Sequence, residues 1–171
     1  KSTFDDSFFH SFDGMIWTGS SLNIYDNTNE IKNQISLMKK VSKLPIKIFG
    51  SCWGMQLYTV CNGGVVSKNI KGREIGISFN ISLNNKGKGH PMYKQKPIIF
   101  DAFASHIDHV TTLPKKASAL SDNHYSIQSL SNKNFWGTQY HPEFNFQYTG
   151  QILNARKKIL LKEKLFSNNQ L

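Results

Sequence analysis

Cys52 is the residue best placed in this sequence to do covalent chemistry. It stands in Gly50-Ser51-Cys52-Trp53-Gly54, directly after the apolar run Ile46–Phe49 and directly before a helical pattern. Buried strand, tight turn and helix form the nucleophile-elbow arrangement, with cysteine in the serine position. Glycine two residues before and two after the nucleophile has a steric job, because side chains there would collide with neighbouring backbone. A cysteine so placed sits at the carboxyl edge of a sheet and at a helix N-terminus. The free N–H groups and positive dipole end there lower a thiol's pKa. The Trp53 N–H then points where an oxyanion would form. Taken alone, Gly-x-Cys-x-Gly is equally compatible with a buried cysteine in an ordinary strand–helix turn. Cys61, on an apolar helix face with Leu57, reads as packing.

A nucleophilic cysteine needs a base, and the base needs an orienting group. Of the six histidines, His141 in Gln139-Tyr140-His141-Pro142-Glu143 follows an apolar strand, so it too would lie at a strand's carboxyl end. Alternation by two puts His141 and Glu143 on one side. A carboxylate there can hold the imidazole Nδ1–H and stabilise the imidazolium. Ser105, His106, Asp108 and His109 have the residue types of a metal cluster. Asn84–His90 is glycine-rich and basic but lacks the Gly-Lys-Ser/Thr ending of a phosphate loop, and reads as a hairpin turn.

The elements that must position these groups follow from periodicity. Phe12–Thr18 reads as a buried strand ending at Gly19, and Thr28–Val41 as a helix with Ile31, Ile35, Met38 and Val41 on one face and a capping-box-like Asn27/Glu30 start. Ile46–Phe49 is a second buried strand, and the helix from Trp53 stops at Gly63-Gly64. Strand, helix, strand, helix is the grammar of a parallel α/β sheet. Ile75–Leu83 alternates as a half-buried, antiparallel strand. Ile98–Ala104, Ala117–Leu120, Tyr125–Leu130 and Phe135–Tyr140 are short strands. A last helix spans Phe146–Leu165, with Tyr148, Ile152, Ala155, Ile159 and Leu160 buried.

The composition bounds the rest. A chain of 171 residues, 39% hydrophobic and 19% charged, suits one globular domain, 1–171. No apolar run approaches the roughly 18 residues of a spanning helix. Two cysteines fit a reducing compartment, the cytoplasm, better than a disulfide scaffold. The formal charge of +10 comes almost wholly from dispersed lysine, with arginine only at Arg73 and Arg156. Specific nucleic-acid sites lean on arginine forks, so the charge reads as a solvated surface.

These motifs resemble the class I (triad) glutamine amidotransferases, in the branch similar to the glutaminase of GMP synthetase. The matching stretches run in order: Phe12-Asp-Gly-Met-Ile-Trp-Thr-Gly19-Ser20, Gly50-Ser-Cys52-Trp-Gly-Met-Gln56, Ser105-His106-Ile-Asp108-His-Val110, and Gly137-Thr-Gln-Tyr-His141-Pro-Glu143. The resemblance implies a catalytic triad of Cys52, His141 and Glu143. It also implies an oxyanion hole from backbone N–H groups of Trp53 and the Gly19/Ser20 loop, with Gln56 and the Ser105-His106 backbone holding the amino-acid end of glutamine. Gly19-Ser20-Ser21 replaces the family's usual Gly-Gly-Pro, and a backbone donor tolerates that change.

The fold implied is an α/β three-layer sandwich with a mixed, mostly parallel central sheet flanked by helices and a small antiparallel appendage near Ile75–Leu83. Relatives carry another strand–helix–strand ahead of the Asp13-Gly14 strand, so a protein longer at its N-terminus is expected. The implied reaction is glutamine hydrolysis through a γ-glutamyl-Cys52 thioester, releasing ammonia for a separate synthetase subunit. A stand-alone γ-glutamyl peptide or conjugate hydrolase, and a non-catalytic binding member of the fold, remain alternatives. The expected ligand is glutamine or another γ-glutamyl small molecule, with no cofactor, metal, specific nucleic acid or membrane.

Overall fold

The computed structural model of the chain describes residues 6–170. In chain order come α1 (Asp6–His10), β1 (Gly14–Trp17), α2 (Asn29–Val41), β2 (Lys47–Ser51), α3 (Trp53–Cys61), β3 (Val65–Lys68), β4 (Glu74–Leu83) and α4 (Asn85–Lys88). Then follow β5 (Ile99–His106), β6 (Asp108–Thr112), β7 (Ser118–Asp122), β8 (Ile127–Asn132), β9 (Phe135–Thr138), α5 (Phe146–Ala155) and α6 (Lys157–Lys162). Among the described residues seven strands form one sheet in the order β1-β2-β9-β8-β7-β4-β5, and β3 pairs with β6 in a separate ribbon. No helix among them is long and apolar enough to cross a membrane.

The mixed α/β architecture with helices flanking a central sheet is as expected, but the parallel majority is not. Only β1–β2 and β2–β9 pair in parallel, while β9–β8, β8–β7, β7–β4 and β4–β5 are antiparallel. Parallel pairing needs a long crossover. Here β1 reaches β2 through α2, whereas β8 and β9 are joined by a two-residue turn. Ile75–Leu83 is likewise no appendage: β4 is an integral strand of the main sheet, and the small separate sheet is β3–β6.

Two local expectations also change. Asn84 does not open a hairpin turn. Its side chain accepts from the Lys86 and Gly87 N–H groups and caps the short α4. The last helix is not continuous to Leu165. It breaks at Arg156 (φ −98°, ψ 5°), which puts the apolar positions of its two halves out of phase. Tyr148, Ala155 and Ile159 are therefore exposed, Leu160 is buried as expected, and Thr149 is buried as well. At α2 the cap is Thr28, whose hydroxyl accepts from Ile31 N at 3.4 Å, and Ile31, Met38 and Val41 fill the core as their spacing predicts.

α3 packs against β1 and β2 at backbone contact. A β-carbon on Gly50 would lie 2.6 Å from the Gly54 carbonyl carbon, and one on Gly54 would lie 2.5 Å from the Trp17 carbonyl oxygen. Trp53, Met55 and Leu57 are buried in the main core with Ile31, Ile48 and Phe135.

A buried polar cluster ties β4 to its neighbours. Glu74, 3% exposed, accepts at Oε1 from Ser78 Oγ and Asn123 Nδ2 (2.6 Å each), and at Oε2 from Gln128 Nε2 and His106 Nε2 (2.8 Å each). His106 Nδ1 lies 3.0 Å from the Asp108 carbonyl oxygen. The ring is thus held at both nitrogens, one against a carboxylate and one against a backbone carbonyl. Burial works to raise the Glu74 carboxyl, but the hydrogen bond and charge of His106, with Ser78 and Asn123, hold it below the usual carboxylate range.

Removing Glu74 leaves Ser78, Asn123, Gln128 and His106 without their buried acceptor. Glu74→Leu should therefore lose about 3–5 kcal/mol of unfolding free energy at pH 7, read from urea midpoints. A carboxyl held low in the folded state stabilises it above the unfolded pKa of about 4.3, and that contribution is lost as pH falls through the folded value. Wild-type stability should drop on acidification below about pH 4.5, and that of Glu74→Leu should drop less; equal profiles would contradict the pairing. Gly54→Ala should cost about 1–3 kcal/mol by pushing β1 away from α3. An unshifted thermal midpoint would mean the contact relaxes freely.

Candidate functional site

Three parallel strands end side by side. In the β1–β2 register Trp17 faces Gly50, and in the β2–β9 register Gly50 faces Gly137 and Ser51 faces Thr138. The residues just beyond those ends are the Gly19-Ser20 loop, Cys52, and the segment Gln139–Glu143. The topology thus brings together the three stretches in which the sequence places a candidate nucleophile, base and oxyanion donors.

Cys52 is the N-cap residue of α3, with φ 47° and ψ −98°, outside the backbone regions open to most side chains. Its N–H donates to the Thr138 carbonyl at 2.7 Å, and its carbonyl accepts from Gln56 N at 3.1 Å. The residue is 4% exposed. Burial pushes the thiol up to about 12; a hydrogen bond from the Trp53 backbone and the charge of Arg156 oppose the rise, while the charges of Glu143 and Asp108 add to it. The lowered thiol pKa expected at a helix N-terminus is thus overturned. The backbone donor is present, but loss of solvent outweighs it. Gln139 Nε2 lies 3.5 Å from Cys52 Sγ and is aimed to donate to it.

His141 and Glu143 are held as alternation predicts. The ring Nδ1–H donates to Glu143 Oε1 at 2.7 Å, which leaves Nε2 as the proton-accepting nitrogen. Ser51 Oγ donates to both Glu143 oxygens at 2.9 Å, with His141 Nδ1 3.3 Å away. Burial works to raise the Glu143 carboxyl, but the hydrogen bond and charge of His141, its own backbone and Ser51 hold it below the usual carboxylate range. His141 N donates to the Phe103 carbonyl at 2.7 Å, and Phe144 stacks on the ring at 3.9 Å. A β-carbon on Gly19 would lie 2.9 Å from His141 Cε1, so the ring and the Gly19-Ser20 loop are in close contact.

Cys52 opens onto a cleft lined by Ser20–Asn23, Gln56, Arg73, Ser105–Asp108 and Arg156. Of the substrate-binding candidates, Gln56 reaches it from α3 and Ser105 and His106 from the end of β5. Gln56 Nε2 donates to the Asp108 carbonyl (3.0 Å) and to Gln139 Oε1 (3.1 Å), linking α3 to the sulfur through Gln139. Both His106 nitrogens are engaged, and among the described residues no three His, Cys, Asp or Glu side chains are grouped as a metal site requires.

Four residues of this site were not singled out from the sequence. Ser51 and Gln139 lie inside the quoted motifs, but only the strand geometry shows which group each one touches. Arg73 and Arg156 lie 83 positions apart, and their one signal is rarity in a chain whose other basic residues are lysines.

Residues 9–159 match the family described as Glutamine amidotransferase class-I. A γ-glutamyl-L-1-hydroxyisopropylamide hydrolase of a Pseudomonas species is 36% identical over 142 residues, covering 79% of this chain and 48% of that protein, so the chain spans about half the relative's length. A glutamine-hydrolysing GMP synthase of Fusobacterium nucleatum is 32% identical over 139 residues, covering 80% of this chain and 25% of the synthase. A glutamine amidotransferase of Thermotoga maritima superposes with a TM-score of 0.80 over 100% of this chain and 72% of its own, at 20% identity, a likeness of fold. The family match takes in the Gly19-Ser20 loop, the elbow, the β5–β6 corner and the His141–Glu143 segment, and the chain belongs to the class I glutamine amidotransferases.

Proposed function

We propose that this chain, as a single domain, hydrolyses a γ-glutamyl amide through a γ-glutamyl-Cys52 thioester, with Cys52, His141 and Glu143 as its triad. The observation that carries this reading is the pairing of an elbow cysteine just beyond β2 with a His141–Glu143 hydrogen bond of 2.7 Å beyond the adjacent strand β9.

The resting thiol is neutral, so its proton moves during attack. His141 Nε2 takes the Sγ proton as sulfur bonds to the γ-carbonyl carbon, and Glu143 accepts the Nδ1–H of the resulting imidazolium. Gln139 Nε2 donates to the sulfur as charge builds there. The N–H groups of Trp53 and Ser20 receive the carbonyl oxygen as it becomes an oxyanion, with Gly19 shaping that loop; each such donor is worth about 2.7–4 kcal/mol in comparable enzymes. His141 then protonates the departing nitrogen and the C–N bond breaks. A water deprotonated by the same ring attacks the thioester, the C–S bond breaks, and glutamate leaves with the thiol restored. Gln56, Ser105 and His106, along the far wall, serve to hold the amino-acid end of the substrate.

The leaving group separates two versions of this function. The Pseudomonas relative, a hydrolase of an N-substituted γ-glutamyl amide, favours an amine leaving group and a stand-alone hydrolase. The Fusobacterium relative, a glutamine-hydrolysing synthase, favours ammonia passed to a separate synthetase.

Wild-type protein should release methylamine from γ-glutamyl-methylamide or ammonia from glutamine, and the larger kcat/KM names the version. Cys52→Ala should lose at least about a thousandfold in either assay. Retained turnover in that variant, or a wild-type protein inert toward both amides, would refute the triad reading. The iodoacetamide reaction of Cys52 should still be accelerating between pH 8 and 10, because a thiol pushed up to about 12 exposes more thiolate with each rise in pH. A rate already level at pH 7 would mean a resting thiolate–imidazolium pair.

A further inference from the structure

The two arginines of the chain converge on the Cys52 cleft. Arg73 precedes β4 and Arg156 occupies the break between α5 and α6, and both line the cleft with Cys52. Arg73 is already paired: its Nε and Nη2 donate to Glu163 at 2.8 and 3.0 Å, and its side chain is 9% exposed. Arg156 is half-buried, and its guanidinium has no hydrogen-bond or ion-pair partner among the described residues. Burial and the neighbouring Arg73 charge pull its pKa below the usual guanidinium value, opposed by the charges of Cys52 and of Glu163, whose carboxylate is forked onto Arg73. A half-buried guanidinium is normally forked onto a carboxylate or phosphate, because its desolvation is otherwise uncompensated.

Other groups in the lining fit the same ligand. Ser105 is part of this lining, and its Oγ is buried with no hydrogen-bond partner among the described residues. Asp108, the acid of the lining, accepts the Tyr25 hydroxyl at 2.9 Å on Oδ1. An anion placed between Arg156 and Ser105 would meet a free cation and a free hydroxyl beside the sulfur.

We propose that Arg156, flanked by Arg73 and Ser105, forms a carboxylate subsite of the Cys52 cleft that fixes the substrate next to its scissile amide. The assignment deepens the γ-glutamyl reading and rests on it for the identity of the ligand. Two carboxylates of such a substrate have the right chemistry: the α-carboxylate of the glutamyl half, and a carboxylate carried by the amine half, as in a γ-glutamyl dipeptide.

The first experiment needs no turnover. Iodoacetate and iodoacetamide alkylate the same sulfur but differ by one negative charge, so their rate ratio at Cys52 reads the local potential and cancels any change in thiol ionisation. Arg156→Gln should lower the iodoacetate-to-iodoacetamide ratio by about fivefold or more at low salt, while Arg156→Lys keeps most of it. A ratio unchanged in Arg156→Gln, or lowered equally in Arg156→Lys, overturns the subsite. The second experiment compares γ-glutamyl-methylamide with γ-glutamyl-glycine. A KM raised about tenfold or more by Arg156→Gln for both assigns the α-carboxylate, and one raised for the dipeptide alone assigns the amine half. A KM raised for neither overturns the proposal. If wild type cleaves neither compound, the γ-glutamyl reading fails, and the alkylation ratio still decides whether the cleft holds an anion subsite.

Discussion

The backbone of Cys52 is the constraint around which the molecule is arranged. A non-glycine residue at φ 47° and ψ −98° carries strain of about 1–3 kcal/mol, and persists only where its surroundings over-determine it. Here the strand-side N–H is held by Thr138 and the helix-side carbonyl by Gln56 N. The two flanking glycines let α3 and β1 close to backbone contact, and the buried Trp53, Met55 and Leu57 anchor the helix from within. β2 is flanked by a parallel neighbour on each side, so both neighbours end at the level of the strained residue. The Gly19-Ser20 loop and His141 are where they are because β1 and β9 are in register with β2.

The two acids of this site differ in exposure and in partners. Burial drives the Cys52 thiol toward its neutral form, whereas the Glu143 side chain, 43% exposed, stays ionised because His141, its own backbone and Ser51 all bond to the charged form. Under the proposed triad, a protonated thiol and an imidazole already held by a carboxylate make a resting state with the base prepared and the nucleophile unspent. In the proposed reaction the Gln139 and Trp53 donors would gain strength as sulfur and oxygen become negative, which is the condition for stabilising a transition state more than a ground state.

What could be read from the sequence was what is contiguous or strongly periodic. Gly50–Gln56 and Gly137–Glu143 each place their groups through a single strand end, so spacing suffices to put His141 and Glu143 on one side. The Ile31/Met38/Val41 stripe is long enough to fix α2. β3 and β6 were missed because Val65–Lys68 has only four residues and Asp108–Thr112 mixes polar and apolar residues without a clean period of two. The break at Arg156 was missed because Tyr148, Ile152, Ala155 and Ile159 continue a helical spacing across it. Glu74 looks like a surface acid between Arg73 and Ile75, and only the pairing of β4 with β5 brings His106 to it. A thiol pKa argued from the helix terminus alone went the wrong way because burial is a property of the whole fold.

The same distinction separates the chemistry of the site from its selectivity. The groups assigned to bond making ride on β1, β2 and β9, whose alignment is set by ladder hydrogen bonds that most side-chain changes leave intact. Apart from Gln56 on α3, the groups assigned to the substrate ride on a corner and two chain segments that side-chain pairs hold in place: His106 by Glu74, and Arg73 by Glu163, which ties the region after α6 to the start of β4. Such pairs can be exchanged one at a time without loosening the parallel strands. On this reading a common thioester chemistry is compatible with relatives that act on glutamine and on N-substituted γ-glutamyl amides, because the part of the cleft that meets the substrate's charge is mechanically separate from the elbow that cleaves it.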